Sequence, residues 1–452
     1  MQVMKWSALA LAVTAGTTQL AFASAQSDSK GFVEDSSFDV LNKNYFFHRD
    51  FRNNGAGNGG SSDDQNYRQE WAHGITALYE SGFTQGTVGF GVDAHGMLGL
   101  KLDSGRGTTG TGLLPIDSEG RAEDEYSYAG GAVKIQVSNT VLKYGDLMPT
   151  APVFATGTAR LFPGSATGFQ VLSSEVEGLN IDAGHFTSIR DGSASTNSDG
   201  EITLAYAGAI DAGDVDYVGG SYAVNENLSV SLYGAELEDI WRQYYSNVNY
   251  NIPLAENQAL NFDFNIYRTN EEGDELAGEI DNTTWSLAAA YSIGAHKFTL
   301  AHQQVNGDEP FDYISMDGGN AGDSIWLNNS VQYSDFNAAN EKSWQVRYDL
   351  NMAEFGVPGL SFMARYIKGT DADGTHADPS GAYAGYGGDD GKEWERDLEV
   401  KYVFQEGAAK DLSIRVRHAS WRANNDMGGY YSGGSSALDE IRVITEYPLD
   451  VL

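Results

Sequence analysis

The sequence predicts an all-β protein, and its pattern favours a closed antiparallel β-barrel that spans a membrane. Three observations lead to this prediction: apolar and polar side chains alternate along many segments, short turns alternate with long polar connections, and an export signal precedes the mature chain. About 425 mature residues, at roughly 22–25 residues per strand and connection, predict about 16 to 20 strands. We therefore expect a single barrel domain over residues 26–452.

The first 25 residues have the pattern of a Sec signal peptide. Lys5 supplies a positive start, Ala8–Val13 an apolar stretch, and the small residues between Ala21 and Ala25 a cleavage site after Ala23 or Ala25. The apolar stretch is too short for a membrane-spanning helix. The alternative is a retained N-terminal helix, but the complete pattern favours export.

The composition narrows the classes of partner. The chain has no cysteine, so an exported protein of this sequence is built without disulfides. Its 63 acidic residues against 28 basic ones give a net charge of -35, which argues against nucleic acid as a partner. The histidines show no metal-ligand spacing, so no metal or cofactor is expected. The acidic pairs Asp371/Asp373 and Asp389/Asp390 are read as solvated loops rather than divalent-cation sites.

The connections alternate in length. Short turns such as Ala255–Gln258 and Gly294–His296 join neighbouring strands, whereas longer stretches rich in Gly, Asp, Ser and Asn follow other strands. The long stretches include RNNGAGNGGSSDDQN and GTDADGTHADPSGAYAGYGGDDG. Short turns at one end and long loops at the other are typical of up-and-down transmembrane barrels. Aromatic residues near strand ends, namely Tyr447, Trp394, Trp421 and Phe404, are predicted to form the interfacial girdles.

The segment DLSIRVRHASW shows the alternation and places two arginines. Leu412, Ile414 and Val416 face one side of a strand, and Arg415 and Arg417 face the other. An arginine that faces lipid costs about 2–4 kcal/mol at the midplane, so the barrel lumen is the favourable place. The same parity directs Lys401, Arg442 and Arg347 to the lumen. The alternative is structural pairing of these cations with Asp397, Glu399 or Glu446.

The alternation alone does not exclude an alternative fold. A soluble secreted β-protein, such as a sandwich, a propeller or a glycan-binding lectin, alternates in the same way.

The stretch from Gly145 to Phe169 predicts a loop folded into the lumen. It contains three of the nine prolines and several apolar residues, which a solvated surface loop would not carry. Inside a barrel, such a loop would narrow the pore and place Arg160 beside it. The alternative is an ordinary surface loop.

The chain resembles the porin D (OprD-type) family of substrate-specific outer-membrane channels from end to end. Stretches that carry the resemblance are ALYESGFTQGTVGFGVDAHGMLGLKLD, NLSVSLYGAELEDIWRQYYSN and the C-terminal EYPLDVL, among others. The resemblance implies eighteen strands and a narrow pore. Two loops, 53–66 and 369–391, depart from the family pattern, so the resemblance fixes the class of solute less firmly than the fold.

The resemblance also implies roles for individual residues. The motifs YFFHRD and NYRQEW add Arg49 and Arg68 to the basic series, since barrel closure brings the first strands beside the last. The facing side of the constriction is implied to carry acceptors for an amine group. Those residues are Asp323, Asp335, Ser330, Tyr333, Tyr313 and Tyr206.

The function implied is passive uptake of small carboxylate-bearing solutes: amino acids, basic ones first, short peptides and carbapenem-type antibiotics. Outer-membrane lipid, lipopolysaccharide and the barrel-assembly machinery are the implied partners, and a homo-oligomer is left open. The family resemblance also raises a serine peptidase hypothesis, with Ser324, His185 and Asp239 as the triad. Such a triad needs the nucleophile and the base within hydrogen-bond distance.

Overall fold

The computed structural model is a closed barrel of eighteen antiparallel strands, as predicted. It describes residues 26–52, 66–195, 202–316, 320–430 and 435–452. The predicted signal peptide and residues 53–65 of the first long loop lie outside these ranges. Within the described ranges no helix is long and apolar enough to cross a membrane. Only three short 3-10 helices are present there, at Gln26–Asp28, Met352–Phe355 and Asn425–Tyr430.

The strands of the barrel follow one another around the cylinder in chain order. Their bounds are β1 Ser37–Phe51, β2 Tyr67–Glu80, β3 Gly89–Ser104, β4 Glu125–Val137, β5 Thr140–Leu147, β6 Ser165–Ser173, β7 Leu179–Arg190, β8 Val215–Asn225, β9 Leu228–Leu237, β10 Trp241–Ala255, β11 Gln258–Glu271, β12 Asp281–Ile293, β13 His296–Asn306, β14 Lys342–Asn351, β15 Leu360–Ala372, β16 Gly391–Val403, β17 Ser413–Ala423 and β18 Ala437–Asp450.

The first and last strands close the barrel. β1 pairs with both β2 and β18, with Arg49 opposite Glu440 and Phe47 opposite Arg442 across the closing pair. Closure leaves no sheet edge, which a barrel in lipid requires because unpaired backbone groups there cost several kcal/mol each. The closed ladder excludes the sandwich and propeller alternatives.

The two ends of the barrel differ in their connections. The turns after β4, β8, β10 and β12 are two residues long (138–139, 226–227, 256–257 and 294–295), whereas the connection between β13 and β14 spans 307–341. By the rule for outer-membrane barrels, the short turns face the periplasm and the long connections face outside. The connection between β15 and β16 spans 373–390, slightly shorter than the predicted 369–391 loop.

The outer face of the barrel is apolar. Phe90, Leu232, Leu300 and Val346 lie on different strands and are each at least half exposed. Exposure of this kind on a closed barrel is typical of contact with lipid acyl chains. One predicted girdle residue differs: Trp421 is fully buried and faces the lumen, because it shares the parity of Arg415 and Arg417.

The lumen holds the core, and several long connections fold into it, of which two are central to the site. The first, residues 148–164, contains the short strands Thr150–Ala151 and Phe154–Ala155, and Phe154 packs on Phe186 at 5.0 Å between ring centroids. The predicted inward loop is therefore confirmed, and we call residues 148–164 the constriction loop. The second inward connection is 307–341. Part of it joins a small four-stranded sheet of Ile202–Leu204, Gly208–Ala212, Ile314–Met316 and Asn320–Ala321.

Candidate functional site: two opposed sides of the lumen

A buried aromatic ring is the centre of the cationic side of the lumen. Phe47 on β1 is fully buried, and three guanidinium groups lie over it. The Cζ atoms of Arg442, Arg49 and Arg160 are 4.6, 5.2 and 5.4 Å from the ring centroid. The negative face of an aromatic ring attracts cations at such distances. Three arginines from β18, β1 and the constriction loop are thereby gathered at one level.

A single carboxylate compensates two of these charges. Glu440 is fully buried, and its Oε2 accepts from the Arg49 Nε at 3.0 Å. Its Oε1 lies 2.6 Å from the Arg442 Nη2 and accepts from the Gln332 amide at 2.8 Å. Because Gln332 belongs to the second inward connection, Glu440 ties that connection to the closing strands.

The cationic side continues toward the periplasmic end on β16 and β17. The Arg417 and Arg415 Nε atoms lie 3.1 and 3.8 Å from Glu399, so the two arginines share one partly exposed carboxylate. Lys401 stands opposite Arg415 in the strand register. The burial pattern of β17 agrees with a lumen orientation of Arg415 and Arg417. Both arginines also pair with Glu399, as the alternative of structural pairing expects.

We call Lys401, Arg415, Arg417, Arg442, Arg49 and Arg160 the cationic wall. Burial and the nearby guanidinium groups of Arg442 and Arg49 lower the pKa of Arg160 to about 10, so it remains charged at neutral pH. The Arg160 Nε donates to the Thr111 carbonyl at 2.7 Å, which fixes the side chain.

Two of the predicted arginines lie outside this cluster. Arg68 on β2 donates to the Gly110 carbonyl at 3.0 Å and lies over the Phe51 ring. Arg347 on β14 forms a two-bond pair with Asp349 at 2.7 and 2.8 Å, near the periplasmic end. A guanidinium engaged by its own strand neighbour has less capacity for a passing solute.

Sequence reasoning missed several cations that face the interior of the barrel, and Lys43 and Arg365 are two of them. The Lys43 ammonium donates to the Arg160 carbonyl at 2.7 Å and lies 3.6 Å from Glu446. Arg365 on β15 donates to Asp397 at 2.5 Å. Both could have been found by parity, since Lys43 alternates with outward residues in the same way as Arg49.

The acidic side of the lumen is built on the second inward connection. The Asp335 carboxylate accepts from the hydroxyls of Tyr206 at 2.8 Å, Tyr313 at 2.9 Å and Ser330 at 2.5 Å. Asp323 accepts from the backbone and hydroxyl of Thr158 in the constriction loop at 3.0 and 2.6 Å. We call Asp323, Asp335, Ser330, Tyr206 and Tyr313 the acidic side.

The surroundings shift the protonation equilibria of this side. Burial raises the pKa of Asp335 and of Asp323, although hydroxyl donors oppose the shift in both cases. Asp323 and Asp335 are partly exposed to the lumen. Protein atoms nevertheless surround both carboxyls from several directions, which is why burial raises the pKa. Burial, followed by the charge of Asp335, raises the pKa of Tyr206 and Tyr313 well above the ordinary value, so their hydroxyls remain donors.

Tyr333 differs from the expectation that placed it with the acids. Its ring lies 4.9 Å from the Arg49 guanidinium and 5.0 Å from the Trp421 ring, on the cationic wall. Its backbone N–H donates to Glu395 at 2.9 Å, which holds it there.

A polar patch below the inward connections was not predicted. Asp263 on β11 accepts from the side-chain amides of Asn247, Asn249 and Asn265 at 2.7–2.9 Å. Asn328 of the second inward connection donates to the Asp263 carbonyl at 3.3 Å. A lumen wall of neutral amides around one carboxylate therefore lies on the periplasmic side of that connection.

The three residues of the peptidase hypothesis are not brought together. The Ser324 hydroxyl is buried and has no hydrogen-bond partner among the described residues. His185 alternates with the buried Phe186 on β7, and its Nδ1 lies 3.0 Å from Asp216. Asp239 lies in the turn between β9 and β10 and accepts from the Asp274 backbone at 3.2 Å. The described residues also contain no cluster of metal ligands.

A membrane barrel whose lumen is narrowed by inward connections and lined by a cationic and an acidic side is a selective outer-membrane channel. The family model described as outer membrane porin, OprD family, matches residues 30–451. The chain belongs to the OprD family of outer-membrane porins.

Relatives of known name support this assignment over the whole length. Porin D of Pseudomonas aeruginosa is 58% identical over 461 residues, with 100% of both chains covered. The porin-like protein GalP of Pseudomonas putida is 32% identical over 94% of this chain and 95% of its own.

Solved structures agree. A crystal structure of Pseudomonas aeruginosa OprD covers 96% of this chain and 100% of its own, at 54% identity and a TM-score of 0.81. A structure of Pseudomonas aeruginosa OpdK with vanillate covers 93% of this chain and 100% of its own, at 34% identity and a TM-score of 0.81. The predictions of family, fold class and outer-membrane location are confirmed.

Proposed function

We propose that this channel carries small carboxylate-bearing solutes past the cationic wall, with amino acids, basic ones first, and short peptides as its natural cargo. Carbapenem-type antibiotics, which also carry a carboxylate, would enter by the same route. The observation that carries the proposal is the gathering of Arg442, Arg49 and Arg160 around Phe47. Glu440 is a buried counter-charge that Arg442 and Arg49 share. The channel would act by diffusion, without peptidase chemistry.

The arrangement suits transient binding. Guanidinium groups present planar donor pairs that match a carboxylate, and the low-dielectric walls of a pore focus their field. Lys401, Arg415 and Arg417 extend the positive surface toward the periplasmic end, so a carboxylate can pass from one cation to the next. Several weak sites favour conduction over retention.

The acidic side explains why an amine on the solute would help. Asp335 and Asp323 face a lumen whose other side is positive, so a solute with both a carboxylate and an ammonium group meets two complementary surfaces. A relative with a known ligand supports the carboxylate half of the proposal: the OpdK structure contains vanillate, which is a carboxylate.

Replacement of Arg415 and Arg417 by alanine tests the proposal. We expect the double variant Arg415→Ala/Arg417→Ala to lower the rate of liposome swelling with carboxylate-bearing amino acids by about tenfold, because the field that concentrates anions in the lower pore is lost. The panel should include acidic, neutral and basic amino acids and a neutral sugar. The sugar rate should change little.

The matched control is Arg268→Ala on the outer face, where Arg268 pairs with Asp281. It should leave all rates unchanged. An unchanged carboxylate rate in the double variant would contradict the cationic wall as the path.

Protonation of Asp335 should make permeability depend on pH. Its raised pKa means that the carboxyl loses its charge as the pH falls, and does so above the ordinary aspartate value of about 3.9. We therefore expect cation selectivity, measured by reversal potential in planar bilayers, to fall as the pH is lowered. The fall should begin at a pH above the ordinary aspartate pKa. Asp335→Asn should weaken this dependence, whereas Asp124→Asn, at an exposed loop residue, should retain it. Equal pH profiles for Asp335→Asn and the unmodified protein would contradict the assignment.

A further inference from the structure

An aromatic belt on the outer face marks the upper edge of the membrane. Trp285, His302 and Trp344 contact one another in sequence across β12, β13 and β14, at 5.2 and 4.3 Å between ring centroids. On the next strands, Tyr366 and Trp394 stack at 5.8 Å. These residues lie toward the end of the barrel with the long connections, where the outer leaflet meets water.

A lysine interrupts this belt. Lys368 on β15 stands directly between Trp344 on β14 and Trp394 on β16 in the strand register. Arg422 follows on β17, opposite Trp394, with its guanidinium 5.8 Å from the indole. Arg396 lies one outward position deeper on β16, next to Tyr366. The exposed outer surface of β14 to β17 thus carries a patch of cations at and below the belt.

Two of these cations lack the carboxylate partners that other outward cations have. At the same end of the barrel, Arg242 pairs with Glu236 and Glu272 at 2.8 and 3.0 Å, and Arg268 pairs with Asp281. In the part of the chain that the structure describes, no carboxylate lies within ion-pair distance of Lys368 or Arg396. Arg396 donates only to the Ser420 hydroxyl, at 3.1 Å.

The neighbouring cations, two of them above the belt on β14 and β16, are compensated. Lys342 lies 3.3 Å from Asp371, and Lys392 lies 2.6 Å from Asp390. Arg422 lies 3.1 Å from Asp439. The uncompensated charge is therefore confined to Lys368 and Arg396, in the middle of the patch.

We propose that Lys368 and Arg396 bind the phosphate group of a phosphorylated lipid of the outer leaflet. A lipid-facing cation is unfavourable unless its charge reaches the interface or meets an anion there. Lysine and arginine are the side chains that bind phosphate, and basic groups at the membrane surface recognise anionic headgroups.

The surface below the patch identifies the occupant as a lipid rather than a soluble phosphate compound. Val346 on β14 and Leu398 on β16 are 57% and 45% exposed and lie deeper on the same face. A lipid with its phosphate at Lys368 would lay its acyl chains along these residues. The cationic wall in the lumen plays no part in this site, so the inference stands apart from the proposed transport.

The test compares lipid binding by three proteins. The unmodified barrel, the double variant Lys368→Gln/Arg396→Gln and the control Arg242→Gln/Arg268→Gln are reconstituted in nanodiscs and titrated with diphosphorylated lipid A. We expect the patch variant to bind about tenfold more weakly, since each cation at an anionic surface contributes measurably. The control should differ by less than about twofold, because its arginines are already paired with carboxylates.

A second measurement does not depend on any variant. The unmodified protein should bind enzymatically dephosphorylated lipid A about as weakly as the patch variant binds the diphosphorylated form, and excess inorganic phosphate should not displace the bound lipid. Equal affinity for both forms of lipid A, undiminished binding by the patch variant, or displacement by inorganic phosphate would each overturn the proposal.

Discussion

Replacing Glu440 by glutamine should destabilise the barrel by about 3–5 kcal/mol, because it leaves two buried guanidinium groups without their counter-charge. The Glu440 side chain is fully buried, and those of Arg49 and Arg442 are 9% and 3% exposed. Three further cations, Arg160, Arg417 and Lys43, lie on the same side of the lumen, so repulsion adds to the loss. Arg49 and Glu440 also join the closing strands β1 and β18 across the barrel seam.

The measurement is the temperature at which the folded band of the heat-modifiable protein disappears on a gel, together with the refolding yield. The matched control is Glu399→Gln, on the same lumen face but with a side chain that is 20% exposed. Because Glu399 and its two arginine partners keep contact with the water of the lumen, the control should lose clearly less stability than Glu440→Gln. A similar transition for Glu440→Gln and Glu399→Gln would show that the seam does not depend on the buried carboxylate.

The same variant makes a prediction about transport. Glu440→Gln raises the net positive charge of the cationic wall, so folded molecules should favour anions more strongly in reversal-potential measurements than the unmodified protein. Glu440 has two roles, because it positions two arginines at the seam and compensates their charge. The change in stability reports on the first role, and the change in selectivity reports on the second.

Parity predicted much of this site from the sequence. Since successive side chains alternate, the apolar positions of β17 directed Arg415 and Arg417 to the lumen. The family resemblance added Arg49, and barrel closure places its strand β1 beside the last strand. The apolar, proline-rich stretch around Phe154 predicted an inward loop for the same kind of reason, because its composition did not suit a surface.

The compensation of charge could not be predicted in this way. Parity gives the face of a strand but not the height of a residue on the next strand, which depends on register and stagger. Glu440 was therefore not recognised as the partner of Arg49. The two residues are 391 positions apart in the sequence, but they are neighbours in the barrel. The family resemblance placed Tyr333 with the acids, whereas its ring lies against the Arg49 guanidinium. Tyr333 belongs to the second inward connection, where strand parity gives no orientation.

The second prediction with a large effect concerns the constriction loop. Leu147 and Ala166 are paired residues at the ends of β5 and β6, so a short Asn-Gly turn can join the two strands in its place. Replacement of residues 149–163 by such a turn should raise single-channel conductance by at least about twofold, because flow through a pore is limited by its narrowest part. Selectivity for carboxylates over neutral sugars should fall, since Arg160 is removed with the loop.

The barrel itself should survive this change. The ladder of eighteen strands uses no hydrogen bond from residues 149–163. Loss of Phe154, Leu161 and Phe162, all buried in the lumen, removes apolar contacts of about 1.5–3 kcal/mol each, so the transition temperature should fall while the folded band persists.

A point variant tests whether the position of the constriction loop affects conductance while the loop itself is retained. Thr158→Val removes the 2.6 Å hydrogen bond from the Thr158 hydroxyl to Asp323. It retains the 3.0 Å bond from the backbone N–H of residue 158, every apolar contact of Phe154 and the guanidinium of Arg160. If the bond from the Thr158 hydroxyl to Asp323 helps to set the width of the passage, the conductance of Thr158→Val should lie between those of the unmodified and the shortened proteins. If the shortened protein conducts no better than the unmodified one, the narrowest point lies elsewhere. The second inward connection, anchored on Glu395 and Glu440, would then be the part of the lumen that limits passage.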